Sequence, residues 1–184
     1  MISEKVLIEG CIREELSVQK ALYEHFSGRM LVVCLRYAKD RMDAEEILQE
    51  GFLKVFENIG RFRRECPLEG WVRRIMVNTA LKHYRKKSHL YPVVDIEEAE
   101  HITDNDMIED KKYDMETLLK IIHELAPRYK MVFNLFAVEG LSHKEISAML
   151  KIPENTSKSH YARAKTMLLN KIKETDKLNS QRYV

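Results

Sequence analysis

With 184 residues, 45% of them hydrophobic and 33% charged, the chain can hold one or two small domains, each with a buried core, and reads as a soluble globular protein. The net charge of +2 is too small to define a partner, so the distribution of charge matters more than its sum. No run of about 20 apolar residues is present to insert in a membrane, Met1-Ile2-Ser3-Glu4-Lys5 lacks the pattern of a leader peptide, and Cys11, Cys34 and Cys66 have neither metal-ligand spacing nor the makings of a disulfide framework, which fits a reducing cytoplasm.

Six glycines, four prolines and no sustained strand alternation predict an all-α fold. Residues 14 to 38 predict one helical stretch with a break or kink at Ser27-Gly28. Asp43-Ala44-Glu45-Glu46 predicts a helix start with Asp43 as N-cap and Glu46 as its reciprocal partner. That helix buries Ile47, Leu48, Phe52, Val55 and Ile59, and its polar face carries Glu45, Glu46, Gln49, Glu50 and Lys54. Residues 60 to 69 predict a loop in which Arg61, Arg63 and Arg64 surround an inward-packed Phe62. A further helix runs from Gly70 to Lys87 and turns basic through Lys82, Arg85, Lys86 and Lys87, with Trp71 beside Val72, Ile75 and Met76 as a core residue.

The character then changes. Eight acidic residues and no Lys or Arg lie between Asp95 and Asp110, so residues 88–112 read as an acidic flexible linker between two small helical domains, 1–87 and 113–184. Helix resumes near Tyr113, with Met115, Leu118, Leu119, Ile122 and Leu125 on one face. Pro127 opens the next helix, which Gly140 caps.

From Leu141 onward two helices flank a turn. Ser142 and Glu145 form a capping-box pattern, Ile146, Met149 and Leu150 form a stripe, and Pro153 prevents one continuous helix. The second helix buries Tyr161, Ala164 and Leu168, leaving Asn155, Lys158, Ser159, Ala162 and Arg163 outward. This is the layout of a helix-turn-helix whose second helix enters a DNA major groove. The seven histidines form no two-ligand spacing beside a carboxylate set and no glycine-rich phosphate loop is present, so an enzyme, a metal site and a cofactor are not expected.

Asp43-Ala44-Glu45-Glu46-Ile47-Leu48-Gln49-Glu50-Gly51-Phe52-Leu53, Gly70-Trp71-Val72-Arg73-Arg74-Ile75-Met76-Val77-Asn78-Thr79-Ala80 and Leu125-Ala126-Pro127-Arg128-Tyr129-Lys130-Met131-Val132-Phe133 occur in this order. Together with the helix-turn-helix they resemble, over residues 10 to 174, the bacterial sigma factors of the extracytoplasmic-function group. The resemblance implies binding to core RNA polymerase by Glu45, Glu46, Gln49 and Glu50. It implies promoter −10 contacts by Arg61, Arg63, Arg64, Arg74, Asn78, Lys82, Arg85, Lys86 and Lys87, with Asn78 as base reader and the cations on phosphates. It implies −35 contacts by Asn155, Lys158, Ser159, His160, Ala162 and Arg163. It makes promoter DNA, core polymerase and an anti-sigma factor the expected partners, and gives the acidic linker two readings, a tether or a segment threading the polymerase RNA channel. The sequence departs from the family at Ser157, usually valine, at Asn155, usually the turn glycine, where Asn tolerates left-handed angles, and at Lys158, His160 and Lys165, where arginine is frequent. The competing expectation is a two-domain helix-turn-helix regulator that does not bind core polymerase.

Overall fold

A computed structural model describes residues 3–90 and 115–181, except the side chains of 87–90, 115, 116, 118 and 176–181. Every regular element among the described residues is helical. The chain divides into two compact units, 1–92 and 93–184. The acidic segment 91–114 and the helix start near Tyr113 lie outside the described residues, as do the side chains of Lys87, Met115 and Leu118.

The first unit holds α1 (Glu4–Ile12), α2 (Leu16–Tyr37), α3 (Arg41–Asn58), a 3-10 turn (Ile59–Arg61) and α4 (Leu68–Leu90). Helices α2, α3 and α4 pack mutually and α1 lies on α2. The buried core includes Leu22, Met30, Ile47, Val55, Ile59, Leu68, Val72, Met76 and Leu81. All five apolar residues expected on α3 are inside it. Helix α1 extends the architecture beyond the sequence expectation. It buries Leu7, Ile8 and Cys11, and Glu4 Oε1 accepts the otherwise orphaned Leu68 N–H at 3.2 Å, capping α4 from a distance.

Two local expectations are corrected. Helix α2 runs unbroken through Ser27-Gly28, because a single exposed glycine weakens a helix without ending it. The N-cap of α3 is Asp40, whose side chain accepts Asp43 N–H at 2.9 Å. Asp43 instead sits in the first turn with its carboxylate turned inward. Its Oδ1 accepts from His83 Nε2 at 2.7 Å and its Oδ2 from Lys39 N–H at 2.8 Å. The Asp43 side chain is 7% exposed and that of His83 18%, so this bond ties the start of α3 to the far part of α4 in a partly dry setting.

Midway along the same interface Gly51 meets Met76. A Cβ at Gly51 would overlap the Met76 sulfur, which is itself fully buried. Glycine is therefore required there for close helix approach rather than for backbone freedom. The pairs Asp43–His83 and Gly51–Met76 run in opposite directions along the two helices, which are antiparallel.

The second unit holds α5 (Met115–His123), α6 (Pro127–Phe133), a π-helical turn (Asn134–Val138), α7 (His143–Leu150) and α8 (Glu154–Gln181). Ile121, Leu125, Tyr129, Ala164 and Leu168 form a cluster joining α5, α6 and α8, with Ile122, Phe133 and Ile172 against it. Pro127 occupies the first turn of α6 as expected. The helix expected to run unchanged toward Gly140 widens into the π turn after Phe133, and Gly140 follows with φ of 71°, the left-handed value that glycine takes without steric cost.

Two stability outcomes follow. Gly28→Ala, with nothing within 4 Å of the new Cβ, should stabilise the fold by up to about 1 kcal/mol, whereas Gly51→Ala should destabilise it by about 1–2 kcal/mol despite the same helix-propensity gain. Thermal unfolding of the two variants should shift in opposite directions. Asp43→Ala should cost about 2–4 kcal/mol by stranding His83 and the Lys39 N–H, while Glu46→Ala, 61% exposed and 4.0 Å from the same histidine, should stay within about 0.5 kcal/mol. Denaturant titration separates these two.

Candidate nucleic-acid and polymerase interfaces

The polar face of α3 is laid out as its spacing requires. Glu45, Glu46 and Gln49 are exposed and Glu50 is half-buried. Glu45 pairs with Arg41 at 2.9 Å and Glu50 with Lys54 at 2.7 Å, each one helical turn apart. The Lys54 hydrogen bond, with the Lys54, Lys82 and His83 charges, holds the Glu50 carboxyl below its usual range, and partial burial opposes this only in part. Glu46 and Gln49 are the members of this face with the greatest freedom to meet a partner. Leu53, exposed three residues beyond Glu50, adds apolar surface to this face.

Asp43, Glu46 and His83 place three potential ligand atoms within 4.8 Å of one another. Both Asp43 oxygens already hold hydrogen bonds within the protein, so the trio reads as an interhelix fastening rather than a metal centre. His83 lies 40 residues from Asp43 in sequence, which hides the trio from any spacing rule.

Further along α3, its C-terminal end and α4 enclose an open groove of about 520 Å³. Lys54, Arg61, Lys82 and Arg85 make it cationic, Asn58 and Asn78 supply amides, and Trp71 and Ile75 form an apolar wall. Lys54 reaches across to donate to the buried Thr79 hydroxyl at 3.1 Å, and Asn58 Nδ2 donates to Lys54 O at 2.9 Å, which fixes the floor. Asn78 and Lys82 are exposed one turn apart on α4, with Arg74 one turn before them and Lys86 one turn after. Lys54 and Asn58 were missed as groove residues. They follow one another at the four-residue helical spacing, but only the packing of α3 on α4 turns them toward Asn78.

The loop after the 3-10 turn exposes Arg61, Arg63, Arg64 and Cys66 and buries Phe62 as expected. Arg64 has φ of 59°, a left-handed backbone that costs a non-glycine residue roughly 1 kcal/mol and turns the loop sharply. Trp71 departs from the core role expected of it. Its ring packs 5.1 Å from that of Phe62, yet one side remains open to the groove. An aromatic face among cations is suited to a nucleobase and its phosphates.

In the second unit the capping box forms in full. Ser142 Oγ accepts Glu145 N–H, and Glu145 Oε2 accepts Ser142 N–H at 2.8 Å. Helix α7 ends on Lys151, with φ of 56°, and this corrects the assignment of left-handed angles to Asn155, which lies in the first turn of α8. The Ser147 hydroxyl donates to Ile152 O at 2.6 Å and braces the turn.

Along α8, Asn155, Lys158, Ser159 and Ala162 are exposed, as required of a groove-facing surface. Lys158 pairs with Glu154 at 2.8 Å. Arg163 is less free than its spacing implied, being half-buried with Nη1 donating to Tyr129 Oη at 3.3 Å. His160 is half-buried too, its ring set edge-on 5.2 Å from that of Tyr129. Tyr161, expected in the core, is also only half-buried and stacks on Phe136 and Phe133. Burial pushes the Tyr129 phenol up, but the Arg163 hydrogen bond and the Arg128 and Arg163 charges outweigh it, and the net movement is downward. Ser157, the departure from valine, is fully buried and hydrogen-bonds His143 Nδ1 at 3.0 Å.

Comparison with known proteins agrees with this division. Sigma-70 region 2 matches residues 22–90 and Sigma-70 region 4 matches residues 115–168, together more than half of the chain. The chain is 29% identical to the ECF RNA polymerase sigma-E factor of Haemophilus influenzae, with 93% of this chain and 96% of that protein covered. It is 24% identical to the RNA polymerase sigma-H factor of Pseudomonas aeruginosa, with 88% and 90% covered. Its fold is similar to that of the sigma factor RpoE solved with the anti-sigma factor NepR from Bartonella quintana, at a TM-score of 0.52 and 18% identity, covering 84% of this chain and 96% of that one. With both sigma regions matched in order, the chain belongs to the extracytoplasmic-function sigma factors, which bind core RNA polymerase and direct it to promoters.

Proposed function

We propose a division of labour among the surfaces just described, with domains at 1–87 and 113–184 and residues 88–112 as the acidic connection between them. The polar face of α3 (Glu45, Glu46, Gln49 and Glu50) docks on core polymerase. The groove between α3 and α4 takes the −10 region, with Asn78 reading a base edge, Lys82, Arg85, Lys86 and Lys87 on phosphates, and Arg61, Arg63, Arg64 and Arg74 guiding the strand. Helix α8 reads the −35 element through Asn155, Lys158, Ser159, His160, Ala162 and Arg163. The observation that supports this reading is the cationic groove lined by both Trp71 and Asn78, two turns apart on α4. Opening a duplex requires unstacking a base, at a cost of a few kcal/mol, and an aromatic wall ringed by Lys and Arg offsets that cost. Trp71 thereby joins the nucleic-acid surface as a stacking wall.

The mechanism is one of binding and strand capture, and we assign no catalytic residue and no cofactor. The site of action is the cytoplasm, where polymerase and promoters are; among the described residues no helix is long and apolar enough to cross a membrane. An anti-sigma factor is the third partner we assign, because the Bartonella relative was solved bound to one.

Two experiments test the first unit. Glu46→Ala with Gln49→Ala leaves the Glu50–Lys54 pair and the apolar stripe untouched, and should weaken core-polymerase binding by about tenfold. Near-wild-type affinity in a titration with core enzyme would remove α3 as the docking face. Asn78→Ala should lose about 1–3 kcal/mol of discrimination at one −10 position, whereas Lys86→Ala should weaken all sequences alike and reduce the salt slope by about one. Binding to a panel of single-substitution −10 fragments distinguishes them, and uniform weakening by both variants would show that Asn78 reads no base.

A further inference from the structure

The helix-turn-helix contains a buried polar joint between its two helices. Ser157, on the inner side of the first turns of α8, has no solvent exposure, and its hydroxyl lies 3.0 Å from His143 Nδ1. His143 is the first residue of α7. Its ring stacks on Phe136 of the π turn at 4.3 Å and 13°, and stands 6.0 Å from the Tyr161 ring on α8. One imidazole therefore touches all three elements that set where α8 points.

We propose that His143, in its neutral form, is the positioning residue of the recognition helix, and that its protonation releases the first turns of α8 and weakens reading of the −35 element. The proposal rests on the assignment of −35 reading to α8.

The surroundings favour the neutral ring. It sits at the N-terminus of α7, where the helix dipole opposes a cation. From α8 it faces the Lys158 ammonium and the Glu154 carboxylate, which are paired with each other. Its own helix adds Lys144 and Glu145, the latter committed to Ser142. The π turn presents the apolar Phe136. Burial first and the Lys158 charge second hold the imidazole below its ordinary value, against the smaller opposing pull of Glu154. With Nε2 protonated, Nδ1 accepts the Ser157 hydroxyl. On a protonated ring Nδ1 carries a hydrogen, so the bond survives only if the Ser157 hydroxyl turns to accept it; that sets a cation against the helix dipole and the Lys158 charge and leaves the hydroxyl hydrogen in a site without solvent exposure. The unfolded chain takes up its proton near the ordinary histidine value of about 6.5. The contribution of the joint is therefore complete above that pH and is lost as pH falls below it.

The test uses holoenzyme and two promoter fragments identical except for the −35 element, at about pH 7.5 and about pH 5.5. The ratio of the two affinities isolates the −35 contribution and cancels the effect of pH on polymerase itself. Three forms are compared: wild type, Ser157→Val, and His143→Phe with Ser157→Val. His160 is present in all three, and its protonation adds positive charge near DNA, an effect of opposite sign. The wild-type ratio should fall more than about threefold on acidification. The double variant removes both polar partners together and should hold its ratio at both pH values. Ser157→Val alone strands the imidazole and should show a reduced ratio already at the higher pH. Unchanged affinity for the fragment lacking the −35 element verifies that each variant folds and binds polymerase. A double variant that loses its ratio with pH as wild type does overturns the proposal, and so does Ser157→Val with a wild-type ratio. Lys158→Ala with Arg163→Ala tests the underlying assignment separately: if that form keeps the full ratio, α8 is not the reader, whatever His143 does.

Discussion

The fit of α3 against α4 is the constraint on which the first unit depends. Gly51 leaves room for Met76, Lys54 reaches the Thr79 hydroxyl, and His83 closes on Asp43. These contacts span most of the interface, and each fixes register as well as distance. The two working surfaces are built from the same two helices. Gln49 is exposed on the polar face of α3, Glu46 lies beside His83 at the edge of the interface, and Lys54 and Asn58, further along the same helix, line the groove. A shift of α3 along α4 would move both surfaces at once, so the polar face and the cationic groove are held in one rigid relation by packing.

The cations of the groove and of α8 are engaged within the protein. Lys158 is engaged by Glu154, Arg163 by Tyr129 and Lys54 by Glu50. Exposed pairs of this kind contribute little to stability, typically below about 1 kcal/mol, so a phosphate can displace the carboxylate at small cost. Their role is to hold long side chains near the rotamers from which they can reach a backbone phosphate. Arg163 is different, because it is half-buried and shares the Tyr129 phenol with Arg128. Its reach is fixed by α6 as much as by α8.

Much of this was legible in the sequence. The apolar stripe of α3, the Ser142–Glu145 capping box, the stop at Pro153 and the opening of α6 at Pro127 all rest on interactions within four residues, and each appeared as expected. The misses share a cause. Asp40 and Asp43 both look like N-caps, and only His83, forty residues away, decides which one turns inward. Gly10 argues locally against α1, yet it is where Val18 approaches closest, so α1 exists by virtue of its packing on α2. Asn155 is the better left-handed residue by type, but the chain turns at Lys151 because α7 ends there. In the candidate sites, the exposed charges were placed correctly by helical period, whereas the groove needed two helices to be set side by side. The half-burial of Arg163, His160 and Trp71 likewise depends on partners distant in sequence.

The π turn at Asn134–Val138 bears differently on chain length and on side-chain shape. A π turn accommodates one residue more than an α turn would in the same rise. The added residue is absorbed within one turn, so the helices that follow keep a direction close to the one a regular helix would give them. What cannot be exchanged freely is the set of side chains the turn presents: Asn134 and Leu135 are fully buried and Phe136 lies against the imidazole. A change of one residue in length is the kind a helix takes up locally, whereas a change of shape at these three positions must be met by the surrounding core.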